Sequence, residues 1–306
     1  MKKIIITTTI NPPTEAIRKF DEMKDWDLVV IGDLKTPKNY KLKNGIYLSP
    51  KDQEKIDKKL SDLIGWNCIQ RRNMGLVMAK KLSADIVALI DDDNIPKKNW
   101  GKNLLLGKKT IANYYETNLV AFDPIFVTNH SNLWHRGFPL QLVSKRKVNK
   151  KKSKYIEADI QADFWDGDPD IDAVCRMIYS PECLFKKKYF PFFSNKISPF
   201  NSQNTFITKK ILKNYFLFPH IGRMDDIWAS FFVQANNAKV IYNTASVYQE
   251  RNPHDLTVDM KNEYLGYEHN DKMLMKLYKD PKELFKFLPT KSLQAFFQYQ
   301  KHFNRS

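Results

Sequence analysis

The sequence predicts an α/β protein with a mostly parallel central sheet flanked by helices. Three observations predict it. Short β-branched and aliphatic runs alternate with helix-patterned segments through the first third of the chain, the order that βαβ units produce. Runs such as Ile4-Ile5-Ile6 and Leu28-Val29-Val30-Ile31 are continuous rather than alternating, as in strands covered on both faces. The composition, 42% hydrophobic and 13% aromatic over 306 residues, can fill a core and argues against disorder.

Residues 3–8 read as the first buried strand, broken by Asn11-Pro12-Pro13-Thr14 before a short helix over 15–23. Residues 27–31 give a second strand that ends at Gly32-Asp33, and 46–48 a third. Ser49 suits an N-cap and Pro50 the first helical position of a helix over 51–63. A further helix spans 67–82, with Ile69, Met74, Val77, Met78 and Leu82 near helical spacing. A fourth strand over 85–90 runs directly into Asp91-Asp92-Asp93. The basic stretch 144–154 reads as a mobile loop, and the Phe-, Pro- and Lys-rich stretch 180–202 as packed but irregular. Order returns at 208–216, with a helix over 225–235 and a strand over 239–242. The tail is amphipathic and helical, anchored by Leu284, Phe285, Phe287, Leu288, Phe296 and Phe297. The expected organisation is a catalytic domain over 1–260 with a helical extension over 261–306 packed on it.

Fifty Lys and Arg stand against 34 Asp and Glu, a formal net charge of +16. Such a balance suits an acidic partner: nucleic acid, an anionic membrane surface or a phosphorylated small molecule. Cys68, Cys175 and Cys183 form no C-x-x-C pair, which fits a reducing cytosol better than a disulfide framework. The opening Met1-Lys2-Lys3-Ile4-Ile5-Ile6 has too short an apolar run for a signal peptide. The expectation is a cytoplasmic protein. Peripheral contact at the inner membrane face could run through Lys186-Lys187-Lys188-Tyr189-Phe190-Pro191-Phe192-Phe193. A solvated loop with a few buried rings is the plainer alternative.

Ligands on open α/β sheets sit at the carboxyl ends of strands, which singles out 7–13, 32–37 and 91–96. Three adjacent carboxylates at a strand's end repel one another, and Mn²⁺ or Mg²⁺ removes that repulsion through hard oxygen ligands. In extended chain Asp91 and Asp93 share one face and Asp92 takes the other. A cation held there could bridge the two phosphates of a nucleotide diphosphate. The alternative is a solvated acidic turn or a helix start. Ile221-Gly222-Arg223-Met224-Asp225-Asp226-Ile227-Trp228 reads as a Gly turn entering a helix. Asp226 or Asp225 could act as a base toward an acceptor hydroxyl; complementing the helix dipole is the bland role. Arg71 and Arg72 open a helix, where a guanidinium can grip phosphate. Trp165 and Trp228 could wall a sugar ring, though core packing is the simpler role for each.

The run Gly32-Asp33-Leu34-Lys35-Thr36-Pro37, Tyr47-Leu48-Ser49, Arg71-Arg72-Asn73-Met74-Gly75 and Asp91-Asp92-Asp93-Asn94 resembles STELLO-type proteins and their relatives. Residues 221–229 and Asp168-Pro169-Asp170-Ile171-Asp172-Ala173 are similar to stretches of plant reversibly glycosylated polypeptides, the UDP-arabinopyranose mutases. The resemblance implies a GT-A type nucleotide-sugar-binding fold and a nucleotide-diphosphate sugar, most often a UDP-sugar. It implies Asp93 and Asp91 as metal ligands, with Asp92 beside the nucleotide. Thr7, Thr8 and Asp33 would lie near the base and ribose, Arg72 near the diphosphate, and Asp225 and Asp226 at the catalytic base. A late histidine often completes such a metal site, and His254 stands where one could. Arg136, Arg176 and Arg223 all remain candidates for the self-glycosylated arginine of the plant mutases.

Three functions follow from these residues. The first is a metal-dependent glycosyltransferase acting on a glycan or glycolipid acceptor, with inversion. The second is a UDP-sugar pyranose/furanose mutase. The third is a basic nucleic-acid-binding protein, against which stand scattered lysines, no recognition signature and acidic triplets that repel phosphate.

Overall fold

The computed structural model describes residues 1–250 and 255–304. Among these residues eleven strands join one sheet: β1 (Lys3–Thr9), β2 (Asp27–Gly32), β3 (Ile46–Leu48), β4 (Ile86–Ile90), β5 (Asn94–Pro96), β6 (Thr110–Glu116), β7 (Asn149–Ile156), β8 (Ile160–Gly167), β9 (Phe192–Ser194), β10 (Asn204–Thr208) and β11 (Val240–Gln249). The helices are α1 (Glu15–Asp21), α2 (Pro50–Ile64), α3 (Arg72–Lys81), α4 (Ala173–Tyr179), α5 (Asp225–Ala235), α6 (Leu256–Leu277) and α7 (Thr290–Gln300).

The strand order is β3-β2-β1-β4-β10-β8-β11-β9-β6-β7, with β5 on β11. The first four strands are parallel, as their continuous apolar runs predict. The sheet as a whole is mixed, because β10 enters antiparallel between β4 and β8 and the β6–β7 pair is antiparallel. Antiparallel neighbours need no crossover helix, and between β6 and β10 the described chain has only the seven-residue α4. β2 lies on one side of β1 and β4 on the other, so the winding reverses between β1 and β4. That reversal opens a crevice at their carboxyl ends. A Cβ at Gly75 would lie 2.5 Å from Ile6 Cγ2 and 2.6 Å from Ile31 Cδ1, so this glycine lets α3 settle onto β1 and β2.

Local signals hold where side chains cap helices. Ser49 and Asp52 form a capping box at α2 with Pro50 at its start, and Thr14 caps α1. The helix expected over 67–82 starts late, as a 3-10 turn over Ile69–Arg71 and then α3. The Asn67 and Cys68 amides are instead bound by Asp33. The stretch 144–154, expected as a mobile loop, is a 3-10 turn followed by β7. β7 buries only Ile156, so with neither face covered it carries no apolar alternation to read. The expected boundary at 260/261 falls inside α6. The C-terminal helices share the main core: Trp228 Nε1 donates to Asn270 at 2.8 Å, and Phe216 meets Tyr299 at 4.9 Å between ring centres. The expected docking stretch 186–193 changes in meaning too. Phe190 and Phe192 are buried against Phe164 and Tyr242, so those rings are core, while the three lysines are the stretch's exposed residues and Tyr189, Pro191 and Phe193 are half-buried. Among the described residues no helix is long and apolar enough to cross a membrane.

Candidate active site

A cleft of about 840 Å³ opens at the carboxyl ends of β1 and β4. Asp33, Asp91, Asp92, Asp93, Asp170, Asp225 and Asp226 line it, against Arg72, Arg136 and Arg223. A chain of net charge +16 thus keeps an acidic cleft, and the structure brings both acidic clusters of the sequence to it.

The triplet is splayed rather than gathered. Asp91 Oδ1 accepts from Arg72 Nη2 at 2.8 Å, and Arg72 is itself anchored to Ser202 through Nη1. Asp92 Oδ2 accepts from Thr9 at 2.5 Å and Asn11 at 3.2 Å, while its backbone carbonyl accepts from Thr14. Asp93 Oδ1 is buried and finds no hydrogen-bond partner among the described residues. Burial first, and then the charges of Asp91 and Asp92, push the Asp93 carboxyl up to about 7. Burial also raises Asp91, although Arg72 opposes the shift.

The other wall is the start of α5. Gly222, at φ +62°, enters it where a Cβ would lie 2.2 Å from Asn262 O, so the turn needs glycine. The neighbours Asp225 and Asp226 are in opposite states. Asp226 is enclosed by Arg136 Nη1 at 3.0 Å, Ser202 N at 2.9 Å and Ser202 Oγ at 3.1 Å. Burial would raise it, but Arg136 holds it below the usual carboxylate range. Arg136 also pairs with Asp170 through Nε at 2.7 Å and Nη2 at 3.0 Å. Among the described residues Asp225 has only Gln70 Nε2 as a side-chain donor, at 2.7 Å. Burial and the Asp226 charge push Asp225 up to about 7.

Several expected site residues sit differently. Thr7 is fully buried in β1, short of the strand's carboxyl end, and does not line the cleft, whereas Thr8 and Thr9 at that end do. Asp33 lines the cleft, but its carboxylate accepts the amides of Leu34, Asn67 and Cys68 and so clips two loops together. Arg71 is structural, bound to Gln53 and Ser61. Arg72 reaches the cleft beneath Asp91. Trp165 and Trp228 are core. Arg176 pairs with Asp168, and Arg223 with Glu263 and Asp259. His254 lies outside the described residues. Gln70, Ser202 and the joining of Arg136 to Asp170 and Asp226 were not read from the sequence. Those partners lie 34 and 90 positions from Arg136, and no local pattern links them.

Among the described residues no three His, Cys, Asp or Glu side chains are gathered as a metal cage. A hard divalent ion that keeps waters and takes phosphate oxygens needs only one or two carboxylates. Asp93, with an unpartnered buried oxygen, and Asp91 beside it fit that donor set.

No protein-family profile matches the chain. It is 25% and 24% identical over 185 residues to the probable glycosyltransferases STELLO2 and STELLO1 of Arabidopsis thaliana. The match covers 56% of this chain and only 24% of each of theirs. Solved structures of glucosyl-3-phosphoglycerate synthase from Mycobacterium tuberculosis align over 92% of this chain and 79% of theirs, at TM-scores of 0.41 and 0.42 with 10% and 11% identity. One of them holds Mn²⁺, UDP-glucose and phosphoglyceric acid.

Proposed function

We propose that the chain is a metal-dependent glycosyltransferase. It moves a sugar from a nucleotide-diphosphate sugar, a UDP-sugar on the STELLO resemblance, to a glycan or glycolipid hydroxyl with inversion. The observation that carries this reading is Asp93, a cleft carboxylate pushed up to about 7 with one oxygen buried and unpartnered. Such a group favours a cation, and it lies at the crevice where α/β sheets bind nucleotides. The similarity to two probable glycosyltransferases supports the same class.

Asp93 and Asp91 would hold Mn²⁺ or Mg²⁺, which neutralises charge on a diphosphate leaving group. Arg72 favours the ionised form of Asp91 against the effect of burial and orients its carboxylate. Asp225 is the base. It ionises near neutral pH, where a proton acceptor works best, and Gln70 fixes its direction. Asp225 takes the acceptor hydroxyl's proton as that oxygen bonds the anomeric carbon. The bond from that carbon to the diphosphate oxygen breaks, and the nucleoside diphosphate leaves. Asp226, committed to Arg136, holds the wall in place instead of accepting a proton.

The test is turnover of a UDP-sugar panel by the purified chain with and without Mn²⁺ and with a glycan acceptor panel. UDP release that needs Mn²⁺ and acceptor, and is lost in Asp93→Asn and Asp225→Asn, is the expected result. Unchanged turnover in both variants removes the scheme. A new sugar nucleotide formed without acceptor replaces it with the mutase.

A further inference from the structure

The β6–β7 hairpin lies at the end of the sheet, where β7 pairs only with β6. β7 is unusual in exposing every residue except Ile156. Residues 145–156 contain no Asp or Glu, yet they include Lys150, Lys151, Lys152 and Lys154. Lys151 and Lys154 share the single carboxylate of Glu116, at 3.6 and 3.9 Å. Lys154 also lies 3.8 Å from the centre of the Tyr114 ring. On the other flank of β6, Asn113 Nδ2 donates to Tyr189 O at 3.2 Å, which brings the turn carrying Lys187 and Lys188 alongside. Those lysines are exposed.

Apolar side chains stand on the same hairpin, on the face opposite the one where Lys151 and Lys154 meet Tyr114 and Glu116. Ile111 and Tyr155 are directly opposite in the β6–β7 register, so they share a face. They are 59% and 72% exposed. Lysines on an edge strand can serve only to block strand-to-strand aggregation. A naked isoleucine–tyrosine pair works against that role. With both faces of β7 open, the combination instead matches a sheet edge that meets a bilayer edge-on, with ammonium groups toward anionic headgroups and the apolar pair entering beside them. A nucleic acid would use the lysines and the tyrosine but has no use for an exposed isoleucine.

We propose that the β6–β7 hairpin, with the Lys187–Tyr189 turn beside it, docks the protein on an anionic lipid bilayer. Phe190 and Phe192 of the 186–193 stretch take no part, because they are core. Ile111 and Tyr155 supply the apolar contact.

Co-sedimentation of the full chain with vesicles tests this, using phosphatidylcholine alone and phosphatidylcholine with phosphatidylserine. Binding should favour the anionic vesicles and fall as salt is added. The combined variant Lys150→Gln, Lys151→Gln, Lys152→Gln, Lys154→Gln should lose about a hundredfold or more in partitioning. Ile111→Ser with Tyr155→Ser should lose about tenfold. Thermal melting of each variant checks folding. Lys152→Gln alone, whose ammonium makes no ion pair among the described residues, repeats the test in miniature if the combined variant melts early. Equal binding to both vesicle types overturns the proposal, as does wild-type binding by the lysine variant. So does an Ile111/Tyr155 variant that binds like wild type, since the surface would then read polyanions of any kind, nucleic acid or acidic protein included.

Discussion

Gln70 Nε2 donates to Asp225 Oδ2 at 2.7 Å, which ties the 3-10 turn before α3 to the first turn of α5. That bond sets Asp225 apart from Asp226, whose carboxylate is taken up by Arg136 and Ser202. Two adjacent aspartates that look interchangeable in the sequence therefore differ in kind. One is a fixed anion, and the other is poised to exchange a proton near neutrality.

The pH profile of turnover should show that difference. Activity should rise as pH passes through about 7, where Asp225 ionises, and Asp225→Asn should lower kcat by about 10²–10⁴-fold. Gln70 favours the ionised form of Asp225, so Gln70→Leu should move the rising limb to higher pH. A limb that stays in place in Gln70→Leu would mean that another group titrates there.

Arg136 is the structural counterpart. It neutralises Asp170 and Asp226 inside the protein, and its removal leaves two buried carboxylates without a cation. Arg136→Gln should cost about 3–5 kcal/mol of stability, read as a fall in the urea midpoint. Asp225→Asn should cost far less, because it removes a charge that burial already disfavours. Similar losses in both variants would undo this division of labour.

The parallel layer was legible because its strands are covered on both faces and must be continuously apolar, as Ile86–Ile90 is. The acidic clusters were legible because they directly follow such a strand or open a helix. β7 was not, since a strand with two wet faces has no pattern that separates it from a loop. The Arg136 network was equally hidden, because it forms only once β10 and α5 bring Ser202 and Asp226 to an arginine from a distant loop. Asp33 lines the cleft as expected, but its structural part was hidden. A carboxylate after a strand looks like a ligand group, and only the fold shows its oxygens taken by backbone amides.

Asp93 should trade stability for function. Its folded pKa is raised to about 7, above the roughly 4 of an unfolded aspartate. The folded state therefore holds this proton longer, and the resulting stability is present below about pH 4 and lost as pH rises through about 7. Asp93→Asn removes that loss. In metal-free buffer its unfolding free energy should exceed wild type by a margin that grows from acid to mild alkali, reaching about 1–2 kcal/mol. A margin that is flat with pH would mean Asp93 is not the group carrying the shift.

With two splayed carboxylates and no three-residue cage among the described residues, cation and nucleotide should bind each other's complex better than the bare protein. Protein oxygens alone offer too few ligands, and phosphate oxygens supply the rest. Titration calorimetry should find weak binding for Mn²⁺ alone and for UDP alone. Each should tighten by the same factor when the other is present, by about 5–150-fold, because the coupling is reciprocal. Asp93 must lose its proton to bind the ion, so binding should release protons below about pH 7 and weaken there. Asp93→Ala should abolish the coupling while leaving the weak UDP binding in place. Mn²⁺ that binds equally well with and without UDP would place the ion somewhere other than beside Asp93.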